Sequence, residues 1–80
     1  MGLARTEGEL AKRVSAYLKA RLADEGLTYA DLAARMKKHG LVSETEESIK
    51  QKLKRGTFPA TFLLAAAAAL ELEAVVLGDI

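Results

Sequence analysis

The sequence predicts one domain with a mainly α fold of four or five short helices. It does not decide whether a short strand follows at the C-terminus. Three observations support this prediction. The chain has 80 residues, which is the length of a single domain. Apolar residues recur three and four positions apart, the spacing of one face of a helix. Residues that cap helix N-termini precede these runs, and glycines follow them.

A first helix is predicted over residues 7–25. Thr6 and Glu9 have the spacing of a capping box, in which the Thr oxygen accepts from a backbone N–H group and the Glu carboxylate reaches back. One apolar side chain then recurs at every fourth position, at Leu10, Val14, Leu18 and Leu22. Gly26 follows, and glycine readily takes the left-handed conformation that ends a helix.

A second helix is predicted over residues 29–39, with Thr28 as the N-cap and Asp31 as the reciprocal acid. Its apolar face consists of Leu32, Ala33 and Met36. Basic side chains occupy its last turn, where positive charge is favourable near the negative end of the helix dipole. Gly40 ends this helix.

A third helix is predicted over residues 44–55. Ser43 and Glu46 are predicted to form its capping box, and acidic residues suit a first turn. Ile49 and Leu53 make a short apolar stripe, and a glycine follows the last residue.

A fourth helix is predicted over residues 59–70, where Pro59 suits the first turn. Its inner face consists of Phe62, Leu63, Ala66 and Leu70. Because Leu64 and Ala65 lie off this stripe, the helix is apolar nearly all round. Such a helix is either central in the core or shared with a partner, and the sequence leaves both alternatives open.

Residues 71–80 form a tail that either continues as a short helix or forms one strand. A lone strand needs a partner strand, and a second copy of the chain would supply one. A domain this short also has a small core. We therefore expect a homodimer through the fourth helix or through this tail.

The net charge of +1 hides a strong segregation of charge along the chain. Residues 1–34 carry five bases and five acids. Residues 35–55 carry seven bases against three acids, while residues 56–80 carry three acids and no base. A basic centre in so small a protein indicates an anionic partner.

Several functional classes find no support in the sequence. It contains no cysteine and one histidine, so it lacks a disulfide framework and the usual ligands of a zinc site. Its serines have no partner base for nucleophilic catalysis. No apolar run reaches the ~18 residues of a membrane span, and no secretory signal pattern is present. We expect a cytoplasmic protein that is not an enzyme, uses no cofactor or metal, and has no small-molecule substrate.

Three runs resemble a known kind of domain. Thr-Tyr-Ala-Asp-Leu-Ala at 28–33 resembles the scaffold helix of a helix-turn-helix, and residues 49–56 resemble its recognition helix with the glycine that ends it. Residues 57–70 are similar to the next helix of Cro and repressor-type (lambda-repressor-like) domains. Within that superfamily, residues 28–33 and the Arg-Gly-Thr-Phe run at 55–58 resemble an uncharacterised bacterial family of the domain-of-unknown-function kind. The resemblance implies a small helical fold and DNA binding, with a longer turn here than in the repressor pattern.

The third predicted helix is the candidate recognition helix. With its two apolar residues turned to the core, Gln51, Lys54 and Arg55 point outward. Gln51 is suited to adenine, whereas Lys54 and Arg55 are suited to phosphates or guanine. Glu44 and Glu47 are expected near the same face, where they would repel phosphates. The candidate nucleic-acid-binding residues are Lys37, Lys38, Lys50, Gln51, Lys54 and Arg55.

Two functions follow as hypotheses. The first is a small DNA-binding or transcription-regulator-like protein that binds double-stranded DNA, with the second helix bracing the third. The second is a non-catalytic protein-interaction or dimerisation module on the same fold without DNA binding. The acidic start of the third helix and the apolar fourth helix favour this alternative. Fold resemblance alone does not decide between them.

Overall fold

A computed structural model of the chain describes residues 5–72, 74–75 and 80. It contains four helices, which are α1 (Glu7–Glu25), α2 (Tyr29–Lys37), α3 (Glu46–Arg55) and α4 (Ala60–Ala69). None of the described residues forms a strand, and the predicted mainly α class is confirmed. The prediction of a helix or a strand for the tail at 71–80 falls largely outside the described residues.

The predicted caps begin α1 and α2. Thr28 Oγ1 accepts from the backbone N–H of Asp31 at 3.1 Å, and the Asp31 carboxylate accepts from the backbone N–H of Thr28 at 2.9 Å. Hydrogen bonds that the Asp31 carboxylate accepts from the backbone and the side chain of Thr28 favour its charged form and lower its pKa. At α1, Thr6 accepts from the N–H of Glu9 at 3.1 Å. The Glu9 carboxylate accepts from the N–H of Arg5 at 3.3 Å, one residue before the cap.

α3 begins at Glu46, two residues later than the predicted Glu44. Its N-cap is Thr45, whose Oγ1 accepts from the N–H of Ser48 at 3.1 Å, while Ser48 Oγ accepts from the N–H of Thr45 at 2.8 Å. The predicted capping box of Ser43 and Glu46 is therefore wrong. Thr45 and Ser48 have the same spacing, and a start at this position leaves Glu44 outside the helix.

Three other helix bounds differ from the prediction, and one of them is the end of α4, at Ala69 instead of Leu70. α2 ends two residues earlier, because the chain turns where the N–H groups of His39 and Leu41 donate to Met36 O at 2.9 and 3.1 Å. Leu41 then packs against the core. α4 starts after Pro59, which occupies the N-cap and lies just outside the first turn.

The core lies between the inner faces of the four helices. α2 packs against both α3 and α4, and α1 packs against α3. The largest fully buried side chains are Phe62, Leu18, Leu32, Met36, Ile49 and Leu53. α4 buries one side through Phe62, Ala65, Ala66 and Ala69. Leu64 of the same helix is 68% exposed, so the alternative of a fully central fourth helix is wrong.

Two contacts hold α1 against the C-terminal half of α3. The buried Ser15 donates from Oγ to the backbone oxygen of Leu53 at 2.6 Å. Gly56, with a φ of +74°, passes so close to α1 that a Cβ there would lie 2.5 Å from Ala11 O. Only glycine satisfies both the backbone conformation and this approach. These two contacts fix the distance between α1 and the C-terminal half of α3.

Candidate nucleic-acid interface

The solvent side of α3 carries four of the six candidate residues. Lys50, Gln51, Lys54 and Arg55 are all exposed, because the two apolar residues of α3 turn the opposite side of the helix into the core. Gln51 Nε2 donates to Glu47 Oε1 at 2.9 Å, one turn earlier in the helix. A base edge that binds Gln51 would have to compete with this hydrogen bond.

Glu44 lies inside the protein and not on the exposed side of α3, which corrects the sequence-based prediction. It is 8% exposed. Its carboxylate accepts from Ser48 Oγ at 2.6 Å and lies 3.0 Å from Lys52 Nζ. Lys52 in turn lies 5.6 Å from the centre of the Phe62 ring. The position of α3 explains this arrangement, since a residue before the N-cap can fold back along the helix. Glu44 therefore does not present a free charge to an anion.

Two acids remain at the start of α3. Glu46 and Glu47 are both exposed in its first turn, and negative charge is favourable at that end of a helix dipole. Glu46 lines a groove with Lys19, Thr28 and Tyr29, among other residues. The N-terminal end of α3 is thus acidic at its surface, and its C-terminal half is basic.

Lys37 and Lys38 lie at the C-terminal end of α2. Both are exposed, and Lys38 follows the helix as its C-cap. Lys38 lines a groove with Arg35 and with Glu71 near the end of α4. That groove shares no residue with the one that contains Lys54 and Arg55. The structure therefore brings four of the candidate residues together on α3, but it places Lys38 in a different groove.

A groove between α1 and α3 collects four cations. Lys12 and Lys19 of α1 and Lys54 and Arg55 of α3 line an open space of about 450 Å³. The remaining lining residues are small, neutral or apolar, and they are Gly8, Ala11, Ser15, Ala16, Leu53 and Gly56. Among the described residues no acid lines this groove, so the four positive charges face one surface together.

Sequence reasoning missed Lys12 and Lys19 because residues 1–34 are neutral overall. A finer signal was present. The two lysines are seven residues apart, which places them on one side of a helix. Ala16 lies between them in the sequence and also lines the groove. The sequence alone did not show that Lys12 and Lys19 lie beside α3, because this depends on how α1 packs on α3.

Other kinds of site are not formed by the described part of the chain. Within residues 5–72, 74–75 and 80, no group of three His, Cys, Asp or Glu side chains could hold a metal ion. No helix in the same residues has the length and apolarity needed to cross a membrane.

Comparison with known proteins identifies one family. A family model described as Domain of unknown function (DUF6471) matches residues 10–75, which include all four helices apart from the first residues of α1. No curated protein and no solved structure matches the chain significantly.

Proposed function

The chain belongs to the family Domain of unknown function (DUF6471), and we propose that it is a small bacterial DNA-binding protein of the transcription-regulator type. In this proposal α2 and α3 act as a repressor-like helix-turn-helix, with α3 as the recognition helix. The function requires no catalysis and no cofactor, and it is exercised in the cytoplasm, where bacterial DNA lies. The observation that carries the proposal is the exposed basic side of α3.

The side chains of this surface suit the chemistry of a duplex. Lys50, Lys54 and Arg55 offer donors and positive charge to phosphates, and Arg55 is also suited to the O6 and N7 acceptors of guanine. Gln51 is suited to adenine. The ion pair between Glu44 and Lys52 supports the proposal, because it removes one of the two acids expected to repel the backbone.

The remaining acids determine which part of α3 comes closest to DNA. A recognition helix usually presents its N-terminal residues to base edges. Here Glu46 and Glu47 occupy that end, and a carboxylate near phosphates is unfavourable. The duplex therefore docks toward the C-terminal half of α3, where Lys54 and Arg55 lie.

Salt-dependent binding to a mixed-sequence duplex tests this function. Fluorescence anisotropy should detect binding at low ionic strength, where phosphate contacts are strongest, and binding should weaken as salt rises. A double variant with Lys54→Gln and Arg55→Gln should lose most of the affinity. Arg5→Gln is a control, because it removes one exposed positive charge that lies outside the groove of Lys54 and Arg55. Absence of binding by the unmodified protein at low salt would overturn the proposal.

A second candidate function is dimerisation through α4, for which a specific observation exists. Leu64 is 68% exposed on α4, although a leucine gains free energy when it is buried. A second copy of the chain could cover this side, and a two-fold dimer would also present two α3 helices to successive half-sites. Light scattering at high concentration should then report a dimer that Leu64→Lys converts to a monomer. A strictly monomeric unmodified protein would contradict this candidate.

A further inference from the structure

We infer that α1 takes part directly in DNA binding, with Lys12 and Lys19 holding phosphates of one strand in the groove between α1 and α3. This inference rests on the proposed function and specifies its binding mode. The contact surface then extends beyond the helix-turn-helix pair and includes the first helix.

The charges in the groove are free to bind an external anion. Among the described residues, Lys12, Lys19, Lys54 and Arg55 have no hydrogen-bond or ion-pair partner. Some of the other described cations are instead engaged within the protein. Arg21 pairs with Asp24, Arg35 donates to Ala69 O at 3.1 Å, and Lys52 pairs with Glu44. These four cations repel one another across a groove that no described acid lines, and an anion that binds there relieves this repulsion.

The groove is also firmly built. The hydrogen bond between Ser15 and Leu53 and the close approach of Gly56 to Ala11 hold α1 and α3 at a set distance. The alanines and glycines of its floor leave room for a phosphate chain between the longer lysine side chains. Binding therefore requires ordering of lysine side chains and no movement of helices, which keeps the entropic cost low.

The spacing of the two lysines matches a stretch of backbone. Seven residues of α-helix place Lys12 and Lys19 about 10 Å apart along α1. This separation exceeds the axial advance of about 3.4 Å between neighbouring nucleotides of one strand, so the two lysines reach different phosphates of that strand. Lys54 and Arg55 of α3 lie on the other wall of the groove. A strand that follows the groove would contact α1 and α3 together.

This binding mode has a consequence for sequence preference. Contacts to phosphates position a protein on DNA but carry no direct sequence information. With α1 and the end of α3 on the backbone, and Glu47 engaging Gln51, few side chains remain for base edges. Sequence preference therefore comes from α3, through Gln51 and Arg55, and Lys12 and Lys19 add the same affinity to any duplex.

The salt dependence of binding tests the role of α1. The logarithm of the binding constant falls linearly with the logarithm of salt concentration, with a slope of about −0.9 per neutralised phosphate on B-DNA. Lys12→Gln and Lys19→Gln should each reduce the slope by about 0.9, and the double variant by about 1.8. Arg5→Gln should leave the slope unchanged, because Arg5 is an exposed base that does not line this groove. Circular dichroism checks that each variant remains folded.

The outcomes separate the inference from the proposed function. If the unmodified protein binds DNA and the double variant keeps the full slope, α1 does not contact phosphates, while DNA binding by α3 stands. If the unmodified protein does not bind at low salt, both fail. Amide-shift mapping by NMR on the unmodified protein provides a test that needs no variant. Added duplex should shift the amides around Lys12 and Lys19, and unchanged amides in α1 would overturn the inference.

Discussion

The carboxylate of Glu44 and the ammonium group of Lys52 form an ion pair of 3.0 Å that ties the segment before α3 to the middle of that helix. If both residues lay in one continuous helix, eight positions would separate their backbones by about 12 Å. The pair exists because α3 starts at Glu46, which lets Glu44 fold back along it. The same contact decides the electrostatics of the proposed interface, since it withdraws one acid from the surface.

Loss of the Glu44 carboxylate should destabilise the protein by about 2 kcal/mol. Breaking a completely buried pair costs about 3–5 kcal/mol, and the effect is smaller here because the Lys52 side chain keeps 23% exposure. Urea unfolding of Glu44→Ala measures the cost. Glu47→Ala is the control, because Glu47 is an exposed acid of the same region. Equal stability of the two variants would contradict a structural role for the pair.

Two glycine substitutions should differ in cost because one position is crowded. Gly26 and Gly56 both have positive φ, at +66° and +74°, so alanine at either should cost about 1 kcal/mol for the left-handed conformation. At Gly56 the added Cβ would also meet Ala11 O at 2.5 Å, whereas nothing lies within 4 Å at Gly26. The total for Gly56→Ala should reach about 2–4 kcal/mol, since overpacking adds about 1–3 kcal/mol. Thermal unfolding of both variants compares them, and equal melting temperatures would show that α1 moves aside without cost.

The contribution of Asp31 to stability should depend on acid pH. Its hydrogen bonds with Thr28 lower its pKa in the folded state, so the charged carboxylate stabilises the fold above the unfolded-state pKa of about 3.9. This contribution is lost as pH falls through the lower folded-state pKa. Urea midpoints of the unmodified protein and Asp31→Asn should therefore differ most at neutral pH and converge in strong acid. A difference that is constant with pH would contradict the prediction.

Removal of the acid at Glu47 should strengthen DNA binding. Glu47→Gln eliminates a negative charge beside the basic half of α3 and loosens the hold on Gln51. A gain of about two- to fivefold in affinity is expected at low salt, and it should shrink as salt screens the charge. Anisotropy titrations measure this gain against Glu25→Gln, a loss of an equal charge at the exposed end of α1. An equal gain in both variants would indicate a general effect of net charge.

Local signals predicted the helices well. Thr6 and Thr28 cap α1 and α2 as expected, because a cap is a hydrogen bond between residues three apart and needs no distant partner. The apolar stripe of Ile49 and Leu53 is buried as its spacing predicts. The start of α3 was predicted from Ser43 and Glu46, but Thr45 and Ser48 have the same spacing two residues later. Local signals do not rank these two pairs, and the second pair forms the cap.

The proposed interface was predictable only in part. The exposed side of α3 follows from its buried stripe, so Lys50, Gln51, Lys54 and Arg55 could be identified from helical geometry alone. Lys12 and Lys19 could not be joined to them, because their proximity depends on how α1 crosses α3. The net charge of residues 1–34 is zero, so a count of charges along the chain did not draw attention to Lys12 and Lys19.

The sequence by itself determined the helical class, the caps of α1 and α2 and the inward sides of α2 and α3, because these depend on interactions within a few residues of one another. Tertiary structure alone decided which charges are neutralised and which are presented. Glu44 is withdrawn by Lys52, and Lys12 and Lys19 are brought to Lys54 and Arg55. Electrostatic interactions depend on distance in space, and that distance is set by the packing of α1 against α3.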